Sequence, residues 1–188
     1  MATKICLIRH GQTDWNKQKL IQGRIDNPLN EVGRENSKLA ASKITSLNIV
    51  WDEFLSSPLK RAYETAQIIK NELNFNKEII IIPNLTEREF GELEGKKVCQ
   101  ENYKLMEQGV KGLEMLPELQ NRAVNTIKEI YKTFPDKNVL VATHSQFIKG
   151  LLSALIKDFD FTCVLRNNSL TLIEVDKENI KVISYEKD

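Results

Sequence analysis

The chain alternates short apolar runs with longer segments in which apolar residues recur at helical spacing. The runs that predict strands span residues 4–8, 54–56, 78–82 and 138–142, with a closing hairpin over 169–175 and 180–185. The segments that predict helices span residues 31–46, 58–74, 117–134 and 146–156. Because strands separated by helices build a mainly parallel sheet covered on both faces, we predict an α/β fold, a three-layer sandwich with helices on both faces of a mainly parallel central sheet.

Single residues within and before these segments predict where the helices begin and which face is buried. Asn30 is suited to cap the first helix, and Leu39 falls on the apolar stripe of that helix. Ser57 is predicted to cap the second helix, with Pro58 at the first helical position. The pattern is weakest in the middle of the chain, where only residues 94–108 have helical character.

The composition narrows the classes of protein that fit. Since 188 residues are enough for one well-buried core and too few for two ordinary domains, residues 1–188 are predicted to form a single domain. The formal net charge of +1 comes from 27 basic and 26 acidic residues without long blocks of one sign, so neither nucleic acid nor an anionic membrane is expected as a partner. The longest largely apolar stretch, 151–156, is far shorter than the roughly 18 residues of a membrane span.

The three cysteines are widely separated and form no Cys-x-x-Cys pair. A disulfide framework and a thiolate metal site are therefore not expected, and this cysteine usage is typical of a reducing cytosol. Because the first strand begins within the first few residues, we expect no signal peptide and predict a cytoplasmic protein.

The most informative segment is the end of the first predicted strand, where Arg9, His10 and Gly11 follow an apolar run. His10 would lie at the carboxyl end of the strand, where open α/β sheets bind their ligands. The guanidinium of Arg9 offers a planar fork of donors that suits phosphate, and a neutral imidazole can attack phosphorus. Gly11 lets the backbone approach a ligand closely, and the long polar loop 11–29 is typical of a functional segment.

Two charged residues are predicted at the same edge of the sheet. Arg61 lies in the first turn of the second helix, where a positive charge is unfavourable unless a bound anion compensates it. Glu87 is the first of four glutamates in the segment 85–95, so it is the nearest of them to the end of the third strand. A partly protonated carboxyl group there could donate a proton to a leaving alkoxide, although charge runs are more often solvated faces.

The chain has only two histidines, His10 and His144, and both follow apolar strands. Where the two strands end at one edge of a parallel sheet, the two imidazoles lie close together. One ring can then act as a nucleophile while the other donates to the phosphoryl oxygens. A structural histidine is the alternative for His144 considered alone.

Together these motifs resemble the histidine phosphatase superfamily in its phosphoglycerate-mutase-like branch, over nearly the whole chain. The matching residues are Leu7-Ile8-Arg9-His10-Gly11-Gln12-Thr13, Asn16, Gln22-Gly23, Asp26-x-Pro28-Leu29, Ser56-Ser57-Pro58-Leu59-x-Arg61-Ala62-x-x-Thr65-Ala66, Leu85-x-Glu87-Arg88-x-x-Gly91-x-x-x-Gly95, Val141-x-x-His144 and Asn168-Ser169. Each motif is weak alone, and their common order is what makes the resemblance specific.

The resemblance implies that His10 forms a covalent phosphohistidine and that Glu87 protonates the leaving oxygen and then activates water. The residues it implies for holding the phosphoryl group are Arg9, Arg61 and His144, and those it implies for substrate binding are Gly11, Asn16, Gln22 and Gly23. Because cationic side chains supply the charge that the phosphoryl oxygens need, no metal and no cofactor are expected.

Two departures from the family pattern bear on substrate choice. Ser145 follows His144 where the family usually has glycine, and it could cap the helix that begins there. Met115 stands where relatives often have serine, which predicts a more apolar side of the pocket.

Mutase relatives carry an inserted segment with paired arginines that hold the substrate carboxylate, whereas the segment 96–117 is short and contains no arginine. Lys96 and Lys97 could contact an anionic substrate or serve only solubility. We therefore predict a histidine acid-type phosphatase, a phosphomonoester hydrolase whose partner is a small phosphorylated metabolite. The alternatives are a cofactor-dependent phosphoglycerate mutase and a catalytically silent phosphate-binding module on the same fold. A metal hydrolase lacks a characteristic ligand spacing, and the oligomeric state is left open.

Overall fold

Six strands form one sheet in a computed structural model that describes residues 2–187. The strands are β1 (Thr3–Arg9), β2 (Glu53–Ser56), β3 (Ile79–Ile81), β4 (Asn138–Thr143), β5 (Leu170–Val175) and β6 (Ile180–Tyr185). They lie in the order β3-β2-β4-β1-β5-β6, and the first four strands in this order are parallel to one another. β5 is antiparallel to both β1 and β6, so the sheet is mainly parallel and ends in the predicted hairpin.

β1 lies inside the sheet, and its four middle residues, 5–8, are all apolar. These four residues, Ile5, Cys6, Leu7 and Ile8, are fully buried, with exposed fractions of 0%. Cys6 pairs with Leu140 of β4 on one side and with Leu172 of β5 on the other. A strand covered on both faces needs such a continuous apolar run rather than an alternating one.

Helices cover both faces of the sheet, which confirms the predicted three-layer arrangement. The helices are α1 (Asp14–Lys17), α2 (Glu31–Ser46), α3 (Lys60–Glu72), α4 (Gln100–Gln108), α5 (Leu116–Thr133) and α6 (Ser145–Leu155). α2 and α3 pack on the face that carries Cys6 and Ile8, whereas α5 and α6 pack on the face that carries Ile5 and Leu7. Within residues 2–187, no helix is long and apolar enough to cross a membrane.

The structure confirms Asn30 as the N-cap of α2, since its side chain accepts a hydrogen bond from the Gly33 amide. Three local predictions were wrong. Leu39 is 66% exposed, on the outer face of α2. α3 begins at Lys60 with Leu59 as its N-cap, so Ser57 is not the N-cap and Pro58 is not the first helical residue; the Ser57 hydroxyl contacts His144 and the Leu59 amide.

The segment 94–108 is helical only over Gln100–Gln108, where α4 lies. A short 3-10 turn, Gly91–Leu93, precedes it, and Gly95 adopts a φ of +82°. This left-handed backbone conformation interrupts any helix that the polar and apolar pattern alone would extend towards Glu94.

Candidate active site

The carboxyl ends of the parallel strands open on one edge of the sheet, where a cavity of about 260 Å³ is found. Of the nine residues that the sequence predicts for the site, seven line this cavity: Arg9, His10, Asn16, Gln22, Gly23, Arg61 and Glu87. The other two, Gly11 and His144, are buried next to His10 and do not line the cavity. The topology thus brings together residues from the ends of β1 and β4, the start of α3 and the segment after β3.

His10 follows the last residue of β1, and its ring is held in one tautomer. Its Nδ1 lies 2.7 Å from the Gly11 carbonyl, so the Nδ1 proton is donated there. Its Nε2 accepts a hydrogen bond from the Arg61 Nε at 3.3 Å, which requires a lone pair on Nε2. Burial, with the positive charges of Arg61 and Arg9, lowers the pKa of His10 well below its ordinary value. The ring is therefore a neutral imidazole with its Nε2 lone pair directed towards Arg61.

Gly11 acts behind the histidine rather than in the cavity. A Cβ at this position would lie 2.7 Å from both the Gly33 carbonyl oxygen and the Ser37 hydroxyl, so only glycine fits against α2. The Gly11 amide donates to the Thr65 hydroxyl at 2.9 Å. The close approach that glycine permits is thus to α2 and not to a ligand, and it fixes the carbonyl that orients His10.

Arg61 is fully buried and is held from three directions. Its Nη1 donates to the Ile25 carbonyl at 2.8 Å and its Nη2 donates to the Gly23 carbonyl at 2.7 Å. Its Nε donates to His10. Because carbonyls and an imidazole, rather than a carboxylate, accept these bonds, the full positive charge stays at the cavity.

Arg9 brings a second cation to the same place. Its Nη1 donates to the Leu165 carbonyl, while its buried Nε has no hydrogen-bond partner among the described residues. Burial lowers the pKa of Arg9 to about 10, which leaves the guanidinium charged at neutral pH. A buried N–H without a partner costs free energy, and an anionic ligand would remove that cost.

Glu87 lines the cavity and lies at the start of α6. Its Oε1 accepts hydrogen bonds from the amides of Gln146 at 3.0 Å and Phe147 at 3.2 Å. Ser145 does not cap this helix as the sequence suggests, because Glu87 satisfies the free amides of the first turn. Burial raises the pKa of Glu87, against the opposing effects of Arg61 and the backbone amides. A carboxyl group with a raised pKa is suited to give and take a proton.

His144 is fully buried beside His10, with ring centroids 5.2 Å apart. Its Nε2 lies 2.8 Å from the Ser57 hydroxyl, and that hydroxyl oxygen already accepts from the Leu59 amide at 3.3 Å. The Ser57 hydroxyl has no other acceptor among the described residues, so we assign its proton to the bond with His144 Nε2, and the proton of the ring is then on Nδ1. This buried Nδ1 has no partner within residues 2–187. Burial and the charge of Arg61 lower the pKa of His144 well below its ordinary value, so the ring is a neutral donor.

Amide side chains from the loop 11–29 complete the cavity. The Gln22 oxygen accepts from the Thr13 hydroxyl at 2.8 Å, and the Asn16 oxygen accepts from the Thr13 amide at 3.1 Å. Since both amide oxygens are engaged within the loop, the NH₂ groups of these side chains are left as donors that line the cavity. Asn167 ties this loop to the histidine by donating to the His10 carbonyl at 2.9 Å.

An ion pair that the sequence did not reveal holds the segment that carries Glu87. Arg122 of α5 contacts both carboxylate oxygens of Glu114 at 2.7 Å. Its Nη1 also donates to the carbonyls of Asn84 and Thr86, at 2.9 and 2.8 Å. The backbone around Glu87 is thus held by Arg122 of α5, and the Glu87 carboxylate is held by the amides of α6. No local pattern marks Arg122, because its partners are 8 to 38 residues away along the chain.

Lys96 and Lys97 are exposed and do not line this cavity. Lys97 donates to the Gln18 carbonyl. Within residues 2–187, no cluster of three or more histidine, cysteine or carboxylate side chains is placed to hold a metal ion. The site instead concentrates two guanidinium groups, two neutral histidines and several free N–H donors. Such a site can bind a dianion and attack it with the Nε2 lone pair of His10.

Comparisons with known proteins agree with this geometry. The sequence profile of the histidine phosphatase superfamily (branch 1) matches residues 5–188. The uncharacterized phosphatase PhoE of Bacillus subtilis is 33% identical over 153 residues, which are 81% of this chain and 77% of that protein. A 2,3-bisphosphoglycerate-dependent phosphoglycerate mutase of Thermoplasma acidophilum is 32% identical over 181 residues, 90% of this chain and 86% of the mutase.

Among solved structures, a phosphoserine phosphatase mutant from Entamoeba histolytica in complex with phosphoserine superimposes with a TM-score of 0.80. The two sequences are 26% identical, and the match covers 97% of this chain and 96% of that one. The architecture is therefore shared over practically the whole length of both proteins.

Proposed function

Because the chain belongs to the histidine phosphatase superfamily (branch 1), we propose that it is a single-domain phosphomonoester hydrolase that works through a phosphohistidine on His10. The observation that carries the proposal is the state of His10: a neutral ring whose Nδ1 proton is held by a carbonyl and whose Nε2 lone pair lies beside a buried guanidinium. A nucleophile for phosphorus needs an available lone pair next to positive charge, and His10 has both.

In the first half of the reaction, the Nε2 lone pair of His10 forms a bond to phosphorus while the bond from phosphorus to the ester oxygen breaks. Glu87, in its protonated form, gives its proton to that leaving oxygen, so an alcohol departs and a carboxylate remains. The raised pKa of Glu87 supports this role, because burial favours the protonated form before the reaction.

In the second half, the Glu87 carboxylate takes a proton from water as the water oxygen bonds to phosphorus. The bond between phosphorus and Nε2 breaks, its electrons return to His10, and inorganic phosphate leaves. Glu87 ends protonated and His10 ends neutral, so the enzyme returns to its starting state.

Charge on the transferring oxygens is balanced by Arg9, Arg61 and His144. The unpaired Arg9 Nε and His144 Nδ1 support this assignment, since both are buried donors with no partner in the described protein. We assign the NH₂ groups of Asn16 and Gln22, which line the cavity, to further contacts with the phosphoryl group. Gly23 contributes through its carbonyl, which holds Arg61, and Gly11 contributes through the carbonyl that orients His10.

Mutase activity is the second candidate, because the Thermoplasma acidophilum mutase is as similar as the phosphatases are. The two functions share the phosphohistidine and differ in whether a substrate alcohol or water receives the phosphoryl group. Addition of 2,3-bisphosphoglycerate to 3-phosphoglycerate decides between them: faster isomerisation than phosphate release would make the protein a mutase.

The phosphohistidine is tested by trapping it. Enzyme mixed with an aryl phosphate and denatured within milliseconds is expected to carry one acid-labile phosphate on the peptide that contains His10, detected by mass spectrometry. His10→Ala is the control, and it should lose both the label and turnover, by several orders of magnitude. Steady turnover without any labelled peptide would mean that water attacks phosphorus directly.

A further inference from the structure

A second and larger cavity, of about 660 Å³, adjoins the one that contains His10. The two cavities share part of their walls, formed by Tyr103 and Met106 of α4, Gln146 and Lys149 of α6, and Thr162. A molecule whose phosphate lies at His10 can therefore extend past Gln146 into the second cavity. The proposed reaction needs only the first cavity, so the second is free to select the rest of the substrate.

Lys149 is the shared residue whose chemistry is unusual. Only 8% of it is exposed, and its ammonium donates to the Phe161 carbonyl at 2.9 Å and lies 5.5 Å from the centre of the Phe161 ring. No carboxylate forms an ion pair with it among residues 2–187. Burial lowers the pKa of Lys149, against the longer-range attraction of Glu87 and Asp160, neither of which forms an ion pair with it. Two of its three N–H bonds are left for a ligand.

Arg88 brings a second unpaired cation to the larger cavity. It is 6% exposed, and its Nε donates to the Glu114 backbone carbonyl at 2.7 Å. The Glu114 carboxylate forms its ion pair with Arg122, and Glu114 and Glu87 act on Arg88 only by longer-range attraction, which opposes the lowering of the Arg88 pKa by burial. Glu107 is the one acidic residue that lines this cavity in the described part of the chain, and it is exposed to solvent on α4.

The rest of the larger cavity is apolar. Its apolar lining residues are Met106, Met115, Leu116, Pro117 and Phe161. Two buried cations that form no ion pair with a carboxylate, facing an apolar chamber, are unfavourable when the chamber is filled only with water, because each charge is only partly compensated. A ligand that carries an acidic group on an apolar body satisfies both features.

We propose that Lys149 and Arg88 bind a second anionic group of the substrate, and that the substrate is a phosphomonoester whose phosphate and second acidic group are separated by an apolar body. This inference rests on the proposed function for the position of the phosphate. It adds the class of the substrate and two residues that select it.

The test measures binding without turnover, so it does not depend on the hydrolytic mechanism. His10→Ala protein is titrated calorimetrically with 4-carboxyphenyl phosphate and with its neutral amide, 4-carbamoylphenyl phosphate. We expect the carboxylate to bind about tenfold more tightly, the effect of a charged hydrogen bond. Adding Lys149→Met should remove most of this preference, and adding Arg88→Met should reduce it independently. Lys157→Met, which removes an exposed lysine just after α6, is the matched control and should leave the preference intact.

Equal affinity of the His10→Ala protein for the two esters would overturn the inference, and so would a preference that survives both the Lys149 and the Arg88 substitutions. Hydrolysis of the same esters by the unmodified protein tests the proposed function separately, because a binding preference can exist with or without turnover. A third ester, 1,4-phenylene bisphosphate, distinguishes the two acidic groups: tighter binding than the carboxylate identifies a second phosphate, and weaker binding identifies a carboxylate.

Discussion

The two ends of the substrate cavity are built in different ways. The end that contains His10 consists of buried residues at strand ends and helix starts, and each of them is held by backbone groups of other elements. One wall of the opposite end is formed by α4, which has no fully buried residue and packs on a small cluster of Ile21, Phe90 and Leu93. The comparison teaches that the chemistry is fixed by the sheet, whereas part of the wall that surrounds the rest of the substrate is a lightly packed helix that can change without disturbing the sheet.

The difference follows from how many hydrogen bonds hold each side chain. At the phosphate end, His10, Arg61 and Glu87 are oriented by carbonyl or amide groups of the backbone, which cannot be altered by substitution. At the distal end, Lys149 and Arg88 are oriented by one carbonyl and one aromatic ring each. We therefore expect substitutions at the phosphate end to affect every substrate, and those at the distal end to affect some substrates only.

The largest effect expected in this comparison is that of Glu87→Gln. An alkyl phosphate, whose leaving group needs a proton, should lose about 10²–10⁴-fold in kcat, the usual contribution of a general acid. An activated aryl phosphate such as 4-nitrophenyl phosphate should lose far less, because its leaving group departs without a proton. Steady-state kinetics on both esters measure the difference.

Glu92→Gln is the matched control, since Glu92 lies on the same segment and is exposed. It should leave both rates near those of the unmodified protein. An equal loss on the two esters in Glu87→Gln would assign Glu87 to the structure of the α6 terminus instead of to proton transfer.

A smaller effect is expected for Ser57→Ala. Without the hydroxyl proton on His144 Nε2, the His144 ring is no longer restricted to the tautomer that donates from Nδ1. One lost hydrogen bond of this kind corresponds to roughly tenfold in rate, so kcat should fall about tenfold for every ester while KM changes little. Ser57→Thr, which keeps the hydroxyl, should recover most of the activity.

A purely structural role for Ser57 would give a different result. In that case Ser57→Ala would lower the melting temperature and alter KM as much as kcat, and the larger threonine in this fully buried position would not restore the rate.

The smallest effect concerns stability, and it compares one leucine from each region. Leu7 of β1 is fully buried at the centre of the sheet, whereas Leu105 of α4 is only partly buried. Leu7→Ala should cost about 2–5 kcal/mol of unfolding free energy, the range for cavity-forming substitutions, and Leu105→Ala should cost about 1 kcal/mol. Urea denaturation followed by circular dichroism measures both. Similar losses for the two variants would show that α4 belongs to the same cooperative core as the sheet.

Much of the fold could be predicted from the sequence because it depends on local chemistry. The apolar run before Arg9 predicts a central strand, and Asn30 predicts the start of α2 at the position that the structure shows. The start of α3 could not be predicted in this way, since Ser57 is a good helix cap by sequence and is taken by a histidine 87 residues further along the chain. Such competition between local and distant partners is decided only in the folded protein.

Some residues of the candidate site could likewise be predicted from the sequence, and others could not. His10, Arg61 and Glu87 could be selected because each follows a strand, and the carboxyl ends of parallel strands meet at one edge. The contact of Gly11 with Gly33 could not be predicted, because nothing nearby in the sequence marks it. Lys149 carries no signal in the sequence, and Arg88 matches the family motif without any sign that it is buried, since a lysine on an amphipathic helix and an arginine in a charge run usually face water.

The position of β1 also has a consequence for how the protein is made. This strand is synthesised well before both of its neighbours, β4 and β5. The apolar residues of β1 have no strand partner until β4 and β5 have been made, which favours chaperone binding and slow, late collapse. No amino-terminal fragment can contain a complete site, because Asn167 and His144 reach His10 only when these late strands dock. Activity should therefore appear abruptly, once the carboxyl-terminal hairpin is in place.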